Sequence, residues 1–321
     1  MRNDHNPHNT KSNTGKHPLF GTPTPAKASG IAFTAAVLLP SVLGFVFLIV
    51  IGICGLGKDG YEKTDWYAYV NYLLPQISFA IVAAAYLLYT KTPFKIAAQK
   101  QKCKPKYFLI ALLLQIGLLS LSQVNTWFVA FLERLGYPQS PLIVPSLQGW
   151  KFALAVLVIA VFPAIFEEVF FRGVLLNGLG SFTKVGAVLV CGGLFSLYHQ
   201  NPAQTIYQFC CGASFALVAL QAGSILPTVL SHFLNNFLVL TLEKYGFATF
   251  STPVTVSVMI VSSLCLVGTL VYLLVFDKQS VTKDGGASGD KEEKKRFFYG
   301  VSVGAIVCAI VWVFNLFSVG K

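Results

Sequence analysis

The stretch FALAVLVIAVFPAIFEEVFFRGVLL, Phe152 to Leu176, sets two adjacent carboxylates and an arginine inside an otherwise apolar run. The fifteen residues from Phe152 to Phe166 carry no charge; then come Glu167, Glu168 and, four positions on, Arg172. A carboxylate at the centre of a bilayer costs on the order of several kcal/mol, so an ionisable residue held there marks a functional site by default. His199 and His232 lie in later apolar stretches that hold no other charge. The pattern describes a membrane protein with a buried polar centre.

Composition agrees with that class. Hydrophobic residues make up 55% of the 321 and charged residues 12%, against about 25% charged in soluble domains. Mean hydropathy is +0.65. A run of about 20 apolar residues crosses some 30 Å of hydrocarbon, and nine segments qualify as expected spans. They are Ile31–Cys54, Trp66–Tyr89, Tyr107–Phe131, Phe152–Gly178, Val185–His199, Ala203–Ala222, Ile225–Leu242, Pro253–Phe276 and Phe297–Phe317. The expected fold is all-α, a polytopic transmembrane helix bundle: an eight-span catalytic bundle and one terminal span. The fifth segment is short and runs into His199-Gln200-Asn201-Pro202, where proline cannot continue a helix. A break at that depth is tolerated where protein or a wet cavity surrounds it.

The expected domain organisation has four parts. Residues 1–30 are polar, without an apolar core of a signal peptide, and read as a disordered cytoplasmic tail. Residues 31–276 form the membrane domain, with its polar motifs confined to 152–242. Residues 277–296 are a polar linker, and 297–321 are a terminal transmembrane helix, expected at the periphery of the chemistry.

The formal charge of +11 invites a nucleic-acid reading, but its distribution argues for topology. With nine spans and a cytoplasmic N-terminus, about 17 Lys and Arg fall on the cytoplasmic side and about 6 outside, as the positive-inside rule requires. No nucleic-acid partner is expected; the partners are the lipid bilayer and a peptide or protein substrate. His5, His8 and His17 in the tail have irregular spacing and read as bland. The seven cysteines form no C-x-x-C pair, so they read as small apolar packers and not as a disulfide or zinc framework.

Within the polar motifs, Glu168 and Arg172 share a helix face in the favourable order for an ion pair. Glu167 points about 100° away and lacks a local counter-ion, which suits a general base. A charge cluster that only orders the bundle is the alternative, stronger for Glu168 and Arg172 than for Glu167. His232 and Asn236, four apart, face one way and could donate hydrogen bonds to an oxyanion; such a pair also serves as glue between helices. At 1.5 Å per residue, Glu167 lies about 16 Å from Gly178, His232 about 10 Å from Ile225 and His199 about 21 Å from Val185, so the three can meet.

Glu167-Glu168-Val169-Phe170-Phe171-Arg172, Phe195-Ser196-Leu197-Tyr198-His199 and His232-Phe233-Leu234-Asn235-Asn236 follow E-E-x-x-x-R, F-x-x-x-H and H-x-x-x-N in order. On these residues the chain resembles the CPBP intramembrane proteases, the CAAX protease and bacteriocin-processing or Abi family. The resemblance covers about Phe152–Leu242. It implies an intramembrane endopeptidase in which Glu167 and His199 activate water, His232 and Asn236 stabilise the oxyanion, and Glu168 and Arg172 support the site. It implies a substrate cut either after a prenylated cysteine or in a peptide leader, and a multi-pass place in a bacterial cell membrane. No cofactor is expected. Zinc stays open as an alternative, because Glu167, His199 and His232 would suffice as a catalytic ligand set. A non-catalytic membrane scaffold or bacteriocin-immunity protein is the competing function. A proton-coupled transporter comes third, since paired interrupted helices are missing.

Overall fold

Helix starts and stops follow from local chemistry. Thr24 caps the first helix by accepting the Lys27 N–H through its hydroxyl at 3.3 Å, and Pro25 takes the first turn, where its missing N–H costs nothing. This starts the helix six residues before the Ile31 boundary expected from apolarity, inside the segment expected to be tail. In the computed structural model, which describes residues 24–57, 60–97, 103–137, 144–246, 251–277 and 290–318, every one of the nine expected segments is helical, and no strand occurs among the described residues. The tail histidines and most of the expected linker lie outside the described residues.

The long helices are α1 Pro25–Ile53, α2 Asp65–Thr90, α3 Lys106–Leu118, α4 Leu121–Arg134, α5 Lys151–Leu175, α6 Lys184–Tyr198, α7 Thr205–Ala222, α8 Leu226–Tyr245, α9 Thr252–Phe276 and α10 Lys291–Ser318. Among the described residues, seven segments are long and apolar enough to cross a membrane, with α3 and α4 counted as one. The difference from nine lies in α6, which has 15 residues, and α8, whose apolarity is diluted by His232, Asn235, Asn236, Glu243 and Lys244. α8 carries His232, Asn235 and Asn236, and α6 ends at His199. The expected linker is also shorter than its composition suggests, because Lys291–Arg296 already belong to α10. Glu292 and Glu293 in its first turn suit the helix dipole and pair with Arg296.

Contacts sort the helix termini into two ends. At one, Ser29 donates to the Val174 carbonyl, Asn177 donates to the Tyr86 hydroxyl and Phe182 rings pack on Phe297. Lys106 pairs there with Asp277 at 3.0 Å. At the other, Lys151 pairs with Asp65 at 2.8 Å, Lys244 sits over the Phe152 ring and Tyr137 donates to Asn201.

The terminal helix α10 is not an appendage. A Cβ added at Gly30 would stand 2.4 Å from the Phe297 carbonyl, and one at Gly300 2.7 Å from the Ile31 nitrogen, so the backbones of α1 and α10 touch. Small residues permit this approach in a membrane, where packing and not hydrophobic burial joins helices. Thr34 seals the seam by donating to the Gly300 carbonyl at 2.6 Å. Gly30→Val is therefore expected to cost about 1–3 kcal/mol or more through overpacking and to lower the thermal midpoint in detergent. Gly268→Ala, with open space around its Cβ, should leave it unchanged. Equal midpoints for the two variants would contradict the seam.

Candidate active site

Pro40, Pro75 and Pro163 sit inside α1, α2 and α5, and all three line one cavity of about 540 Å³. Pro163 has a specific consequence. It has no N–H to return to the carbonyl of Ile159, four residues earlier, and the backbone there widens into a π-helical turn over Val156–Val161. The Ile159 carbonyl instead accepts from Asn236 Nδ2 of α8 at 3.2 Å. Asn236 in turn accepts from Asn235 Nδ2 at 3.3 Å, and Asn235 accepts from the Tyr207 hydroxyl at 2.6 Å and from Gln115 at 3.2 Å. A chain of polar side chains from α3, α7 and α8 thus fixes Asn236 at the cavity wall.

The two glutamates diverge as their 100° separation on the helix requires. Glu168 points inward: its Oε1 accepts from Arg172 Nη1 at 2.7 Å, and both side chains are wholly buried. The guanidinium is boxed by the Phe195, Phe215 and Phe171 rings, with its carbon 4.5, 5.3 and 5.9 Å from their centroids, an arrangement favourable for a cation against aromatic faces. Its Nη2 donates to the Gly212 carbonyl at 3.1 Å. That carbonyl comes close because α6 and α7 cross on glycine; a Cβ on Gly192 would stand 2.7 Å from the Ala213 nitrogen.

Glu167 points into the cavity. Its Oε1 accepts from Gln76 Nε2 of α2 at 3.0 Å, while its buried Oε2 takes no protein hydrogen bond and stands 3.9 Å from His232 Nε2. His232 lies between the carboxylates: its Nδ1 meets Glu168 Oε1 at 2.9 Å. A ring nitrogen facing a carboxylate oxygen at that distance carries the proton and donates, an assignment made from the partner. The Nε2 edge is thereby turned to Glu167. His199, the C-cap of α6, has Nδ1 2.8 Å from the Phe195 carbonyl, which fixes a donor there and leaves Nε2 as an acceptor. Its ring lines the same cavity as Glu167, His232, Asn235 and Asn236.

The helix break predicted after His199 occurs. Gln200 takes a left-handed φ of +51°, Asn201 caps the Ala203 N–H at 2.9 Å and Pro202 starts the next turn. A left-handed φ costs a non-glycine residue about 1–2 kcal/mol. Helix α10 holds it in place: Asn315 donates to the Gln200 carbonyl at 2.9 Å, and Trp312 donates to Thr205 at 2.8 Å. The terminal helix, expected at the periphery of the chemistry, braces the loop that follows one of its histidines.

All six residues singled out in the sequence gather around this cavity or its floor. Sequence reasoning missed Gln76, which grips Glu167, and the pair Pro163 and Asn235, which set Asn236. Each is an uncharged polar or proline residue inside an apolar span, a weaker signal than charge but a real one. Among the described residues no group of three or more His, Cys, Asp or Glu side chains stands in metal-holding geometry. Both histidines bond to the protein through Nδ1, an orientation that a ligand binding through Nε2 also has, so the alternative of a zinc on Glu167, His199 and His232 stays open.

Residues 149–238 match the family model described as Rce1-like, type II CAAX prenyl endopeptidase Rce1-like. The matched segment holds all three motifs and every one of the six residues. No curated protein and no solved structure matches the chain.

Proposed function

We propose that this integral membrane protein is an intramembrane endopeptidase of glutamate type, hydrolysing peptide bonds of membrane-associated peptides or proteins. The observation that carries the reading is Glu167: a buried carboxylate with one oxygen gripped by Gln76 and the other turned into a polar-lined cavity beside His232. The family-model match over the same residues points the same way.

Glu167 Oε2 takes a proton from a water that His199 Nε2 orients as acceptor. The hydroxide oxygen bonds to the scissile carbonyl carbon, and the carbonyl electron pair becomes the oxyanion. Asn236 has a second amide N–H to offer it, the first being spent on Ile159. His232 is a second donor to it in the doubly protonated form, in which the resting charges of Glu167, Glu168, Arg172 and His232 sum to zero; the oxyanion then takes over the negative charge that Glu167 loses on accepting the water proton. Glu167 then delivers its proton to the peptide nitrogen, the C–N bond breaks, and a carboxylic acid and an amine leave. Each donor aimed at an oxyanion is worth about 10²–10³ in rate.

The test is hydrolysis of a quenched model peptide by purified protein in detergent, run in ¹⁸O-water. Cleavage with one labelled oxygen in the new carboxylate, insensitive to extensive chelation, is the expected result. Absence of turnover by folded protein on prenylated and plain peptides alike would favour the scaffold reading. Loss on chelation with full recovery on zinc would replace the glutamate mechanism and keep the protease.

A further inference from the structure

The cavity runs in one direction from the glutamates. On the side of the helix ends joined by Lys106 and Asp277, it is floored by Phe195 and Phe215, with the Glu168–Arg172 pair and Phe79, Phe170 and Phe171 packed beneath. All five rings are buried to within 2%. Toward the opposite end, where Asp65 pairs with Lys151, the lining turns polar: Gln76, Asn71, Asn125, Gln204 and Gln208. Asn71 is exposed and about 9 Å along the helix from the α2 terminus at Asp65. Water and a peptide can reach Glu167 through this amide-lined passage and not through the aromatic floor.

Charge assigns the two ends to the two sides of the membrane. Among the described residues, ten Lys and Arg lie at the floored end, including Lys27, Lys91, Lys106, Lys184 and Arg296. Four lie at the open end, namely Lys63, Arg134, Lys151 and Lys244, and these are matched by Glu62, Asp65, Glu133 and Glu243. An excess of Lys and Arg flanking spans stays cytoplasmic.

From the direction of the cavity and this asymmetry together, we infer that the site opens to the extracytoplasmic face and takes the outward-facing segment of an exported or membrane-tethered peptide. A prenylated C-terminal cysteine, made by cytoplasmic chemistry, would present itself on the opposite face. The inference rests on the protease reading for the nature of the substrate, but not for the direction of access.

Thiol labelling tests it without turnover. In a chain that keeps the buried Cys191 and Cys308 and has its other five cysteines replaced, single cysteines are restored at 103 or introduced by Asn71→Cys and Gln208→Cys. A membrane-impermeant maleimide is then applied to intact cells and to inside-out vesicles. Asn71→Cys and Gln208→Cys should react in intact cells, and Cys103, beside the basic ends, only in inside-out vesicles. In the wild-type chain, Cys54 and Cys103 mapped by mass spectrometry give the orientation with no substitution at all. Reaction of the cavity positions only from inside-out vesicles, from neither side, or reaction of Cys103 in intact cells would each overturn the inference. An inactive but correctly labelled protein would sink the protease reading and leave the direction of access standing.

Discussion

Glu167→Gln is expected to abolish peptide hydrolysis while leaving protein yield and thermal midpoint close to wild type. The amide keeps the shape and still accepts from Gln76 through its oxygen, a contact of 3.0 Å in the wild-type protein, so folding loses little. What disappears is the group that takes a proton from water and returns it to the leaving nitrogen. General acid–base catalysis contributes about 10²–10⁴ in rate, and here one side chain serves both steps, so the upper part of that range applies. Gln76→Leu makes an instructive comparison: Glu167 stays but its orienting donor is gone, and a misplaced catalytic group costs up to about 10². The turnover order wild type, Gln76→Leu, Glu167→Gln should hold under saturating peptide. A Glu167→Gln variant within a few-fold of wild type would remove Glu167 from the chemistry.

The neighbouring carboxylate should fail in the opposite way. Glu168→Gln leaves Arg172, fully buried, facing a neutral amide in place of its 2.7 Å partner, and weakens the acceptor of His232 Nδ1 as well. Removing one member of a buried pair costs about 3–5 kcal/mol because the remaining charge is uncompensated. The expected result is a large fall in yield and thermal midpoint. Removing both charges together, as in Glu168→Leu with Arg172→Met, should recover much of the stability, since apolar replacement of a whole buried pair is often near neutral. It should not recover turnover, because His232 then has no carboxylate to fix its ring. A Glu168→Gln protein with an unchanged midpoint would show that this pair does not hold the bundle together.

The two adjacent glutamates therefore separate on different readouts, catalysis for one and stability for the other. That separation was legible in the sequence, since neighbours on a helix differ by 100° in direction and Arg172 stands four residues from Glu168 alone. The helical class was legible for a related reason, as were the seven segments, among the described residues, long and apolar enough to cross a membrane: lipid demands satisfied backbone over about 20 apolar residues. The break after His199 followed from Pro202. Each of these is a local consequence of residue type and spacing.

Relations between helices distant along the chain were not legible, because no local period encodes which faces meet. Gln76 reaches Glu167 from 91 positions away, and the seam of Gly30 with Gly300 exists only when two backbones come within contact of each other. His232 is the clearest case. Spacing placed it with Asn236 on one face, but its bond to Glu168 and its second nitrogen turned to Glu167 arise where α5 and α8 pack. Asn236 reaches the Ile159 carbonyl because Pro163 leaves it unpaired and α8 lies alongside. The sequence determined which groups the membrane must bury and on which helix faces they stand; packing decided their partners, since a buried donor or acceptor must find one wherever the fold brings it.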